Sequence, residues 1–114
     1  MFAAAAQIST SAGGRYLQQL CKHWAHHLAV EYTPQRGQVV FPRDIRGADY
    51  PGDGIATFTA EPNYLGVRIE ATSLEQLESL QGVISSHLDR FAFREAPLSF
   101  QWSTAGQPPM NQAG

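Results

Sequence analysis

Cysteine is nearly missing from this chain of 114 residues, which has one, and lysine is as scarce. A single thiol cannot close an internal disulfide, and this fits a reducing compartment. Seven of the eight basic residues are arginines, scattered rather than gathered, and the net charge is −2. The electrostatic footprint of a nucleic-acid binder is therefore missing. No apolar run is long enough to span a bilayer, and "MFAAAAQIST" lacks a basic n-region, so it is expected to be neither signal nor anchor. The expectation is a cytoplasmic protein that meets neither membrane nor nucleic acid. Charged residues are 16% against 43% hydrophobic, which argues for a folded chain rather than a disordered one.

What is present sorts into elements. "MFAAAAQIST" reads as a strand. Ser9, Thr10 and Ser11 offer caps before a helix expected from Ala12 to Leu28, striped by Leu17, Leu20, Cys21, Trp24 and Leu28. "AVEYT" and "GQVVFP" flank the turn residues Pro34 to Gly37, a hairpin that Pro42 closes. The polar segment Arg43 to Gly54 is expected to be a surface loop, followed by a second hairpin over Ile55 to Ala60 and Tyr64 to Ala71. Ser73 and Gln76 make a capping-box pattern before a helix from Ser73 to Arg90, with Leu77, Leu80, Ile84, Leu88 and Phe91 at helical spacing. "PLSFQW" alternates like a last strand.

Val30, Tyr32, Val39, Phe41, Leu65, Val67 and Ile69, with Leu98, Phe100 and Trp102, share one strand face, with polar neighbours opposite. The pattern implies an α+β two-layer sandwich, β-α-β-β-β-β-α-β, whose antiparallel sheet carries two helices on one face. A single domain over residues 1–102 and a flexible tail over 103–114 are expected, the tail having nothing to bury.

"RYLQQLCKHWAHHLAVEYT", "GQVVFP", "SLEQLESLQGVISSHLDRFAFRE" and "LSFQW" together resemble a family of small bacterial proteins, domain of unknown function 2218, from about Ser11 to Trp102. The resemblance implies no activity, substrate, cofactor or catalytic residue. It implies only an association with iron handling, through relatives that stand beside siderophore-interacting reductases, so that a siderophore-related reductase is a partner to expect. The loop Arg43 to Gly54 is longer than the family pattern.

One cluster stands out. His23 and His27 lie four apart, where a helix stacks them on a ridge with Tyr16 and Leu20, and His87 lies on the inward side of the second helix. Converging between the helices, His23, His27 and His87 would make a metal site, or with Tyr16, Arg90 and Arg94 a site for a small anionic ligand. Otherwise the histidines are boundary residues with ring carbons buried, and the arginines complement a helix C-terminus. Cys21, in the apolar stripe, reads as core rather than nucleophile. The functional expectation is a non-enzymatic binding or accessory module, linked by resemblance to iron and siderophore handling. The alternative is a small enzyme with a histidine acid-base and an arginine anion clamp in the same groove.

Overall fold

The computed structural model describes residues 1–92, 94–95 and 98–105. Strand β1 spans Phe2–Ser9 and helix α1 Gly13–Trp24, followed by β2 (Ala29–Tyr32) and β3 (Arg36–Phe41). A short 3-10 turn at Ile45–Gly47 interrupts the loop to β4 (Gly54–Ala60) and β5 (Tyr64–Ala71), after which come α2 (Leu74–Phe91) and β6 (Ser103–Ala105). The six strands form one antiparallel sheet in the order β2-β3-β4-β5-β1-β6. This is the expected α+β order, with the first strand inserted beside β5.

Register explains the layering. Val39 faces Ala56, Ala56 faces Ile69, and Ile69 faces Ala4, so one apolar row crosses four strands. Phe58, Val67 and Ala6 make the next row. All seven are buried. Both helices lie on this face: a Cβ at Gly37 would meet Cys21 and Leu17 of α1, and one at Gly54 would meet Leu80 and Gln76 of α2. Leu17, Leu20, Leu77, Ile84 and Leu88 complete the core from above. The other face carries Gln38, Thr57, Arg68 and Glu70 between the half-buried Val40 and Ile55.

Three boundaries differ from the sequence reading. Helix α1 stops at Trp24, because the amides of both His27 (3.0 Å) and Leu28 (2.8 Å) turn back to the Trp24 carbonyl before the chain enters β2. Its N-cap is Ala12, whose amide donates to Thr10 Oγ1 at 3.0 Å. The last strand is Ser103–Ala105, paired with Ala3–Ala5, and not "PLSFQW". Leu98, Phe100 and Trp102 still pack on the core without joining the ladder, and the Leu98 amide donates to Asp89 Oδ1 instead. The first three residues of the expected tail thus belong to the sheet, and the rest, residues 106–114, lies outside the described residues. Among the described residues no helix is long and apolar enough to cross a membrane.

The start of α2 fastens the loop that follows β3. Ser73 Oγ accepts from the Gln76 amide at 3.1 Å, as an N-cap should. Gln76, almost fully buried, does not close the reciprocal half of a capping box. Its Oε1 accepts from the Thr72 amide at 2.7 Å, and its Nε2 donates to the Gly52 carbonyl at 2.9 Å. A buried amide needs both ends satisfied, and here that need ties the loop to the helix.

Candidate functional site

Where α1 ends, a groove of about 680 Å³ opens between α1, α2, the end of β3 and the loop over residues 43–54. Trp24, Leu28, Phe41, Ile45, Leu80 and Val83 supply apolar wall, and His23, His27, His87, Asp44, Arg46 and Tyr50 supply polar atoms. Trp24 is the hinge between core and groove. Its ring meets Phe41 edge-on at 5.2 Å and stacks over Phe58 at 6.3 Å, while His87 stands 5.1 Å away. Below it is core, and beside it is the groove.

The loop wall is held by Arg43, whose Nε donates to the Tyr50 carbonyl at 2.8 Å and whose Nη2 pairs with Asp49 at 2.6 Å. The Arg43 amide donates to Asp53 Oδ1 at 2.9 Å. Within this clamp Arg46 adopts φ 55° and ψ 36°, the left-handed region, directly before Gly47 at φ 81°.

His23 and His87 come together across the helices, with ring centroids 5.2 Å apart, and Phe91 meets His23 edge-on at 5.8 Å. His87 Nδ1 lies 2.8 Å from the Val83 carbonyl oxygen. A carbonyl only accepts, so Nδ1 carries the hydrogen and Nε2 is left for a ligand in the groove. Partial desolvation of the otherwise exposed ring, helped by the positive charges of His87 and Arg90 and of His26 and His27, holds the His23 pKa below its ordinary value. His27 lines the same groove, but from the turn after α1, since the helix ends before a stacked i, i+4 pair can form. Of the three histidines expected to converge, His23 and His87 are in ring contact and His27 lines the same groove. Among the described residues no three His, Cys, Asp or Glu side chains are gathered so as to hold an ion.

The remaining expected residues disperse. Tyr16 lies at the other end of the helix pair, buried, with its hydroxyl donating to Glu95 Oε2, which also accepts from Thr10 Oγ1 at 3.0 Å. Arg90 is exposed beside His23, and Arg94 is exposed on the segment after α2. Neither lines the groove. Cys21 is wholly buried, and burial pushes its thiol up to about 11, which suits a core residue and not a nucleophile. Sequence reasoning missed Ile45, Arg46 and Tyr50, which sit in the segment read as surface loop. An isoleucine and a tyrosine inside "RDIRGADYPGDG" were the available signal.

A family model described as an uncharacterized protein conserved in bacteria, DUF2218, matches residues 5–103. The fold is similar to the NMR structure of PA4090 from Pseudomonas aeruginosa, at 26% identity and a TM-score of 0.67, over 93% of this chain and 97% of that one. No curated protein matches.

Proposed function

The chain belongs to the bacterial family named domain of unknown function 2218, and from that premise we propose that it is a non-enzymatic binding module that takes a small molecule into the groove at the end of α1. One observation carries the reading: Trp24, His23 and His87 form a ring cluster that walls an open groove at the edge of the core. Amphipathic rings beside apolar side chains, with a few convergent polar groups, are what a small-molecule site needs. A fragment screen read by amide chemical shifts tests it. Shifts are expected to concentrate at Trp24, Ile45, Arg46 and His87, and shifts confined to the opposite end, around Tyr16 and Glu95, would defeat the proposal. A ferric siderophore and a siderophore-interacting reductase belong in the same screen, because the family resemblance implies that association.

A small enzyme is the second reading, favoured by the fixed orientation of His87 in a groove that also holds an arginine. The arginine would be Arg46 rather than Arg90 or Arg94. Chemical change of any fragment that binds, lost in His87→Gln, would favour turnover over binding.

A further inference from the structure

We propose that the ligand of this groove is an aromatic carboxylate whose acid group is taken by Arg46 while its ring lies among Trp24, Phe41 and Tyr50. The inference rests on the groove being a ligand site and adds the ligand's chemistry. Among the described residues Asp44 is the one carboxylate in the groove lining, against Arg46 and the three histidines His23, His27 and His87. Arg46 has neither an ion pair nor a side-chain hydrogen bond among the described residues. Yet its backbone is left-handed, a conformation that suits glycine or asparagine and is unfavourable for a long side chain. Among the described residues nothing uses the guanidinium, so the unfavourable placement is accounted for by what it presents at the groove. A planar guanidinium fork matches a carboxylate in two parallel hydrogen bonds. The rings account for the rest, since Trp24 already offers a flat apolar surface at the junction of core and groove.

Charge around the histidine pair sets the sign of the pH dependence. His23 faces His87 and Arg90 on α2, has Lys22, His26 and His27 around it on its own helix and turn, and shares the groove with Asp44, Arg46 and Tyr50. A bound anion stabilises the charged form of the His23 imidazole, so binding takes up protons and strengthens as the pH falls towards the lowered pKa of His23.

The experiment is calorimetric titration of the full chain with 1-naphthoate and with its uncharged isostere 1-naphthamide, near pH 6 and near pH 8.5, beside the Arg46→Asn variant and decanoate. The acid is expected to bind about tenfold tighter than the amide at the lower pH, the worth of a charge-assisted hydrogen bond. That preference should shrink at the higher pH, where it should vanish in Arg46→Asn, whose melting temperature is expected to stay level or rise because asparagine tolerates the left-handed backbone. Equal binding of acid and amide overturns the carboxylate and leaves the groove reading standing. A preference that survives in Arg46→Asn near pH 8.5 overturns the assignment to Arg46. Tighter binding of decanoate than naphthoate overturns the aromatic part, and no binding by any probe overturns the inference together with the groove reading beneath it.

Discussion

Cys21 Sγ occupies the space that any side chain at position 37 would need: a Cβ on Gly37 would stand 2.6 Å from the sulfur, 3.2 Å from Tyr32 Cβ and 3.3 Å from Leu17 Cδ2. The glycine thus sets how closely α1 lies on β3. Gly37→Ala is expected to cost about 1 to 3 kcal/mol, the usual range for overpacking. In a Cys21→Ala background the cost should fall, because the nearest obstructing atom is gone. Chemical denaturation of the four proteins of this double-mutant cycle checks it, and additive losses would show that Gly37 and Cys21 are not coupled.

Ile84 stands at the centre of the α2 face, wholly buried. Truncating it to alanine removes three carbons from a site that the sheet and α1 keep from collapsing. A loss of about 2 to 5 kcal/mol is expected. Denaturant midpoints would reveal it, and a loss below about 1 kcal/mol would place the residue outside the packed interior.

Periodicity made the interior legible and left the edges obscure. Leu77, Leu80, Ile84 and Leu88 repeat at helical spacing because one stripe must face the sheet, and all are buried as that spacing requires. By contrast β6 pairs Ser103–Ala105 with Ala3–Ala5 through the ladder and the Ser103 hydroxyl, which donates to the Ala5 carbonyl at 3.4 Å, and three small residues leave no hydrophobic signature. "LSFQW" imitates a strand because Leu98, Phe100 and Trp102 each lean on the core, although no ladder is made there. The histidines were visible as candidates, and His23 and His87 do meet. Their expected third partner, His27, lines the groove from a turn rather than a helix, because a hydrophobic stripe ending in Leu28 does not reveal that the helix closes at Trp24. The groove's far wall was hidden in a loop whose polarity suggests solvent, since a few apolar side chains in irregular backbone have no period to betray them.

At the opposite end of the helix pair, the Tyr16 hydroxyl donates to Glu95, which raises the pKa of Tyr16, with burial acting in the same direction. Because the folded-state value lies above the ordinary one near 10, the contribution is full below that pH and is lost as the pH rises through the raised value. Tyr16→Phe should lower stability near neutral pH by about 0.5 to 1.5 kcal/mol, the net worth of such a bond. Its stability should then fall less steeply than the wild type's at alkaline pH. Urea midpoints measured near neutrality and above the ordinary tyrosine range would decide, and parallel losses in both proteins would remove Tyr16 as the titrating group.

The last expectation concerns acid, and it follows from His23. His23 is exposed on one side, yet packing against Trp24, Phe91 and the His87 ring partly desolvates and so penalises the charged imidazole, and the positive charges of His87, Arg90, His26 and His27 add to the penalty. Lys22 stands next to it in the chain, and Asp44, Arg46 and Tyr50 line the shared groove. In the folded protein His23 therefore holds its proton less tightly than in the unfolded chain. Its contribution is present above the unfolded pKa, near the ordinary value of 6.5, and declines as the pH falls through that value towards the depressed one. Imidazole proton shifts followed by NMR should show His23 titrating below a model histidine, and Arg90→Gln should move it part of the way back by removing one of the opposing charges. Stability measured on the acid side should fall less steeply in His23→Gln than in the wild type, since glutamine has no proton to gain on unfolding. Titration of His23 at or above the model value would mean that the ring is better solvated, or faces less positive charge, than its packing against His87 implies.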